Sequence, residues 1–311
     1  MVRETVWKAA SELNYRPNHI AAALRNGRSN ILGVIVPTAD RTFFSSVVRG
    51  IEEIANASGL HILICQTYDN YKKEIATIDA LLNARVDGII ASHAKESVNF
   101  DHFLKVRKRG IPLVFFDRAQ DDIGVSHVVI DDYHGAYKAT EHLIQEGCRR
   151  IAHFTGPFTI SIYKDRYRGY CDALVKHGLI PNPQYIIESN LQLDDGRSGM
   201  AQLIALDRPP DAVFSSSAIS IMGALQVCKE QSISVPAEMA LAGFSDEPYL
   251  SFCEPGITTI DQQSKTIGNT AAKLILQQTS LDEVKKIVLR PSLVIRRSSL
   301  RSSASCPPTT I

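Results

Sequence analysis

Short apolar, β-branched runs alternate with amphipathic stretches along most of the chain. The runs read ILGVIV, HILICQT, DGIIAS, PLVFFD, HVVID, RIAHFTG, QYIIES, DAVFSSS, MALAGF and ITTID. Between the first two, VVRGIEEIANASG (47–59) places Val47, Ile51 and Ile54 at helical spacing before Gly59 stops the pattern. Strand, helix and strand at roughly 30 residues per unit predict parallel sheets with helices on both faces.

The pattern also repeats at the scale of half the chain. RVDGIIAS followed by RGIPLVFFDR in the first half has a counterpart in PPDAVFSSS followed by ISVPAEMALAGFSDEP in the second. Two similar open sheets in tandem are the simplest reading. Ligands of open α/β sheets bind beyond the carboxyl ends of the strands, so facing sheets would enclose a cleft. The run IVLRPSLVIRRSS predicts two short strands interrupted at Pro291, and the Ser/Pro/Thr-rich end SSLRSSASCPPTTI predicts disorder.

The chain has 311 residues, 44% of them hydrophobic and 22% charged, which suits about two globular domains. A net charge of +1 excludes a globally basic nucleic-acid binder, although residues 1–28 alone carry five basic and two acidic side chains. The six cysteines are scattered, with no CxxC pair and no zinc-type spacing, as expected of thiols in a reducing compartment. The N-terminal stretch lacks a signal peptide's apolar run, and no segment approaches the roughly 18 apolar residues of a membrane span. A soluble, cytoplasmic protein without membrane attachment is expected.

For catalysis the sequence is poor. It holds no G-x-G-x-x-G after the first strand, no phosphate-binding G-x-x-x-x-G-K-[ST], no H-E-x-x-H and no G-x-S-x-G. No catalytic residue, metal ligand or cofactor is assigned, and isolated histidines such as His93 and His153 read as structural. What stands out are polar and aromatic residues at strand ends. PTADRTFFSS puts Phe43 and Phe44 where the chain leaves the first sheet strand; FFDR does the same with Asp117 and Arg118, VVIDDYHG with Asp131 and Asp132, and GFSDEP with Ser245 and Asp246. Carboxylates, an arginine and aromatic rings converging on one cleft suit a polyhydroxylated ligand. The plainer alternative is that such Asp and Ser residues only cap the next helix. YKDRYRGYCDAL reads as a helix with Arg166 and Arg168 on different faces, so one can face the cleft while the other is solvated.

Residues 2–14 carry Val6, Ala9, Ala10 and Leu13 as one apolar stripe of a short helix. The next stretch, YRPNHIAAALRNGRSN, has Pro17 near its first turn, three alanines, Leu24 and a stop at Gly27. It is too short to be stable alone. A projecting leucine can wedge between base steps in a minor groove, with Arg16, Arg25 and Arg28 meeting phosphates. An ordinary linker helix is the alternative.

The order of these segments resembles the lactose-repressor (LacI/GalR) family of bacterial transcription regulators over about residues 2–300. The resemblance rests on VWKAASELNYRPNHIAAALRNGRSNILGVIVP, FFSSVVRGIEEIANASG, RVDGIIAS, GIPLVFFDR, VVIDDYHGAYKATEHLIQEGCRRIAHFTGP, DRYRGYCDAL, MGALQVCKEQSISVPAEMALAGFSDEP and PGITTIDQ, in that order. It implies an α/β, periplasmic-binding-protein-like type I effector domain: two open parallel-sheet subdomains joined by three crossovers. The expected boundaries are 1–28 for a headpiece helix and hinge helix, 29–130 plus 261–285 for one subdomain, 131–260 plus 286–298 for the other, and 299–311 for a disordered tail.

The resemblance also implies function. Such proteins act as homodimers, in some cases tetramers, on near-palindromic operator DNA, and a small effector, often a sugar or nucleobase, switches their DNA affinity. Effector contacts fall by position on Phe43, Phe44, Asp117, Arg118, Asp131, Arg166, Ser245 and Asp246. The hinge residues Asn18, His19, Ala21, Leu24 and Arg25 would enter the minor groove, with Leu24 in the place of the family's intercalating leucine. The family's first helix and its recognition helix would precede Met1, so the chain as given is expected to bind operator weakly. Ala218 stands where the family usually places an aspartate, which points to a different effector. A sugar-binding transport protein without a DNA role is the competing reading; an open α/β enzyme has no motif behind it.

Overall fold

A computed structural model of the chain describes residues 29–278, 280 and 283–301, with Glu12 ahead of them. The expected hinge residues Asn18, His19, Ala21, Leu24 and Arg25, and the remainder of the expected tail beyond residue 301, lie outside the described residues. Along the chain run β1 (Ile31–Val36), α1 (Thr42–Ala57), β2 (His61–Gln66), α2 (Tyr71–Asn83), β3 (Gly88–Ala91), α3 (Asp101–Lys108), β4 (Leu113–Phe116) and β5 (Ser126–Ile130). Then follow α4 (Asp132–Gln145), β6 (Ile151–Thr155), α5 (Ser161–Lys176), β7 (Ile186–Glu188), α6 (Leu193–Ile204), β8 (Ala212–Ser215) and α7 (Ala218–Glu230). The last elements are β9 (Ala240–Phe244), β10 (Thr258–Asp261), α8 (Ser264–Gln277), β11 (Lys286–Leu289) and β12 (Ser292–Val294).

The strands form two six-stranded sheets, ordered β11-β5-β4-β3-β1-β2 and β12-β10-β9-β8-β6-β7. Pairing is parallel throughout the first sheet; in the second only the β10–β12 pair is antiparallel. The central strands β3, β4, β8 and β9 are buried at every position, as strands covered by helices on both faces must be. Strand β2 differs: it is an edge, and Leu63 and Ile64 are exposed.

The chain crosses between the sheets three times, after β5, after β10 and after β11. The last crossing corrects an expected boundary. Lys286–Leu289 pairs with β5 in the first sheet, so the chain passes to the second at Arg290 and Pro291 rather than before residue 286. Proline suits this place because it need not donate to a ladder. Nor does the fold end at residue 298. Ser299 is fully buried, its hydroxyl on Thr258 Oγ1 (2.5 Å) and His142 Nε2 (2.7 Å), and the Arg301 amide donates to Glu146 Oε2 at 2.8 Å.

The helices pair as closely as their backbones allow. Helices α1 and α8 cross at Gly50 and Gly268, where a Cβ would stand 2.3 Å from the Lys265 carbonyl oxygen and 2.0 Å from that of Val47. Both obstacles are backbone atoms, so a side chain there forces the helices apart. Because α1 also carries Phe43 and Phe44, this contact fixes its position over the sheet. Gly268→Ala is expected to lower stability by about 1–3 kcal/mol, as overpacking does; an unchanged denaturant midpoint would contradict this reading of the crossing.

Candidate ligand-binding cleft

The loops that follow β1, β4, β8 and β9 leave the carboxyl edges of the two sheets and face one another. They enclose a chamber of about 60 Å³ lined by Phe43, Phe44, Asp117, Arg118, Tyr163, Arg166, Ser216, Ser245 and Glu247, among others. The chamber opens past Arg41, Phe44, Arg118 and Glu247 into a mouth of about 330 Å³ that adds Asp40, Tyr68, Asp69, Gln192 and Tyr249. The mouth alone lies at the low end of small-molecule sites, which run roughly 300–1,000 Å³.

Two buried guanidinium groups form the polar floor. Arg118, from the loop after β4, donates from Nη1 to Asp69 and to the His93 carbonyl at 3.1 Å. Arg166, on α5, donates from Nε to Asp132 Oδ1 at 2.7 Å and from Nη1 to the Ser216 carbonyl at 2.9 Å. Its guanidinium carbon also lies 3.6 Å from the centre of the Phe244 ring, a desolvated cation–π contact. Arg168, two residues on, is exposed and stacks on Tyr133 instead. Burial pushes the Asp132 carboxyl up to about 7 against the pull of Arg166. Burial likewise raises Asp117, whose neighbours Arg118 and Arg166 offset part of the rise.

Six of the eight expected contact residues line the chamber: Phe43, Phe44, Asp117, Arg118, Arg166 and Ser245. The two phenylalanines sit inside the first turn of α1, which begins earlier than the 47–59 periodicity suggested, and meet edge to face with centroids 5.0 Å apart. Asp131 does not join them. It caps α4, accepting the His134 amide at 2.8 Å, the plain capping role. Asp246 also turns away, to Arg296 (2.7 Å) and the Thr259 hydroxyl (2.6 Å).

Their neighbours are the buried ones, Asp132 against Arg166 and Glu247 on the chamber wall. Asp132 shares the buried stripe of α4 with Gly135, Ala136, Ala139 and Leu143, a helical spacing that could have separated it from Asp131. Glu247 gave no such signal. It is 6% exposed, and its Oε1 accepts from the Ser245 hydroxyl and, across the cleft, from the Phe43 amide, each at 3.3 Å. Ser245 itself holds φ at 81°, and Asp117 at 58°, so both cleft loops bend through the left-handed region that side chains rarely adopt. Among the described residues, Arg118 Nε and Glu247 Oε2 are buried polar atoms without a hydrogen-bond partner. One is a donor, the other an acceptor, and both belong to chamber residues. Ala218, at the start of α7, presents no carboxylate to this wall. Among the described residues no group of three or more His, Cys, Asp or Glu is placed to hold a metal ion, and no helix is long and apolar enough to cross a membrane.

Behind Ser216 lies His153, fully buried on β6 between the rings of Tyr170 and Phe214. Its Nδ1 is 3.0 Å from the Phe214 carbonyl, which can only accept, so Nδ1 carries the proton and Nε2 is free to accept from the Ser216 hydroxyl at 3.4 Å. This is the satisfied structural histidine expected from its isolation in the sequence.

Two open parallel sheets, three crossovers and a polar cleft between the carboxyl edges define a ligand-binding domain of the periplasmic-binding-protein type. Residues 29–293 match the family described as periplasmic binding proteins and sugar binding domain of LacI family. The repressor CytR of Escherichia coli K12 is 32% identical over 276 residues, covering 89% of this chain and 80% of its own. The repressor PurR of Actinobacillus pleuropneumoniae serotype 3 is 28% identical over 302 residues, 95% of this chain and 88% of that one. Among solved structures, a CelR–cellobiose complex superposes with a TM-score of 0.80 at 25% identity, covering 95% of this chain and 90% of that chain. The regulator CcpA of Lactococcus lactis gives 0.80 at 23% identity, over 86% of this chain and 98% of that one, a likeness of fold. The chain belongs to the LacI family of transcription regulators, which are not enzymes.

The burial of His153 makes stability depend on pH. Desolvation lowers its pKa to about 3, and the charge of Arg166 adds to the fall, whereas the unfolded chain takes up the proton near 6.5. The unfolded state therefore binds more protons in this window, and stability falls as pH drops from about 6.5 toward 3, by up to about 1.4 kcal/mol per unit. Denaturant melts of the wild type and His153→Gln between pH 7 and 5 should show a shallower acid loss in the variant. Parallel pH profiles would contradict the assignment.

Proposed function

We propose that this LacI-family regulator is switched by a neutral, polyhydroxylated effector of the carbohydrate class that occupies the cleft. The observation that carries this reading is that one chamber holds two buried polar atoms without a hydrogen-bond partner: a donor, Arg118 Nε, 4.0 Å from Asp117 Oδ2, and an acceptor, Glu247 Oε2. Hydroxyl groups suit both, donating to the carboxylate and accepting from the guanidinium. Phe43, Phe44 and Tyr163 supply apolar faces for a sugar ring, and Ser216, Ser245, Asp117 and Arg166 supply further polar contacts. A structural neighbour holding cellobiose is in keeping with this chemistry.

The effector would act by closing the cleft. Closure alters the angle between the subdomains, and a ligand shifts that equilibrium only by its differential affinity for the two forms. In a homodimer the angle sets the separation of two hinge segments, which fold together in the minor groove of operator DNA through Asn18, His19, Ala21, Leu24 and Arg25 and lose their fold when parted. Exposed Leu63 and Ile64 on the edge strand β2 favour such pairing of copies. The protein would work in the cytoplasm, where its operator is. A transport-type carrier of the same fold is the weaker reading, because the relatives that match nearly the whole chain are repressors.

The experiment is a thermal-shift and calorimetric screen of neutral mono- and disaccharides. At least one is expected to bind, and Arg118→Ala should weaken it at least tenfold. Arg166→Ala alone would leave the buried Asp132 carboxyl without its hydrogen-bond partner and cost about 1–3 kcal/mol of stability. The double variant Arg166→Ala/Asp132→Asn removes that penalty and should still lose the sugar. A chain that binds no neutral carbohydrate, or a variant with unchanged affinity, would refute the site. Leu24→Ala should weaken operator binding in gel-shift measurements and leave effector affinity unchanged.

A further inference from the structure

Helix α1 begins with a defect in its own capping. Arg41 at its N-cap makes no side-chain capping bond, its guanidinium donating instead to Gln192 Oε1 at 3.3 Å, and no acidic residue occupies its first turn. The first amides of any helix lack intrahelical acceptors and carry a partial positive charge, which makes such a terminus a natural anion site. Here the anion comes from the other subdomain: Glu247, from the loop after β9, places Oε1 3.3 Å from the Phe43 amide. Glu247 is 6% exposed, and its second oxygen is buried without a partner on the wall of the same chamber.

We propose that Glu247 is a built-in charge filter and latch: one carboxylate oxygen fills the anion site at the α1 N-terminus, so the cleft takes neutral polyols and rejects phosphorylated or carboxylated ones. The proposal rests on the polyol reading above for the identity of the accepted ligand, not for the rejection of anions. A phosphate or carboxylate entering the chamber would have to displace Glu247 from the amide or lie beside it and Asp117 in a site of low dielectric, where like charges repel strongly. A hydroxyl, by contrast, donates to the free oxygen without disturbing the cap. The bond also joins α1 of one subdomain to the β9 loop of the other.

The remainder of the chamber is ready for an anion once this carboxylate is neutralised. Arg41, Arg118 and Arg166 line it; Arg118 and Arg166 are held by Asp69 and Asp132, whereas Arg41 bonds the neutral Gln192 side chain, and Asp117 would then be the sole acidic residue among the described lining residues. Glu247→Gln keeps the size and the Oε1 acceptor while removing the charge, and Glu247→Ala also uncovers the α1 terminus. The test is a thermal-shift titration of the ligand-free full chain with inorganic phosphate, up to about 10 mM at constant ionic strength, where stabilisation reports binding to the native state. The wild type is expected to show no phosphate-specific shift and both variants a rise of several degrees, lost again when Arg41→Ala is added to Glu247→Gln. Phosphate stabilising the wild type as much as the variants, or failing to stabilise either variant, would overturn the proposal. The outcome is separable from the effector reading: a wild type blind to all neutral carbohydrates refutes the polyol assignment and leaves the phosphate comparison standing.

Discussion

A guanidinium group cannot sit in a protein interior without a negative partner, and Arg118 and Arg166 both end there, at the floor of the cleft. Each is neutralised from within its own subdomain. Asp69, after β2, holds Arg118, and Asp132, at the start of α4, holds Arg166. The strongest electrostatic interactions therefore survive when the sheets part. The polar bonds across the cleft loops are weaker, the Phe43 amide on Glu247 at 3.3 Å, Arg41 on the Gln192 side chain at 3.3 Å, and Lys95 on the Asn190 carbonyl at 3.2 Å, and they stand beside a buried apolar cluster that takes in residues of both sheets. Two of the three lie at exposed positions, where such bonds contribute little. Under the proposed mechanism, a seam held by few polar bonds is what lets a small ligand move the population between an open and a closed form.

The three strand crossings complete that logic. They leave from β5 and β11, paired at one edge of the first sheet, and from β10, next to the edge strand β12 of the second, and they are the covalent links between the two halves. Close helix pairing through Gly50 and Gly268 keeps α1 fixed to the first sheet, so Phe43, Phe44 and the amide that meets Glu247 move with that sheet as one body. Under the proposed mechanism this is how an event in the chamber reaches the dimer and its hinge segments.

Much of this was legible in the sequence because strand runs buried on both faces announce themselves. ILGVIV, PLVFFD, DAVFSSS and MALAGF became the central strands β1, β4, β8 and β9, and their loops carry the cleft. The errors were of one residue or one partner. Successive residues at a helix start differ by about 100° in direction, so Asp131 caps α4 while Asp132 faces inward. In the last loop Ser245 faces the chamber and Asp246 finds Arg296, a residue 50 positions away that no local pattern announces. Glu247 was missed for the same reason, since its partner amide belongs to the other subdomain. Periodicity identified β11 as a strand yet could not say which sheet would receive it, because that is decided by pairing with β5, far earlier in the chain.

The central claim is that one ligand is gripped by both subdomains and draws the seam shut. Hydrogen–deuterium exchange of the full chain, with and without the carbohydrate that binds it, tests this most directly. The account predicts joint protection of segments 41–45 and 117–118 on one side and 216–219 and 244–247 on the other. Protection confined to one subdomain, or to segments outside the cleft, would contradict it.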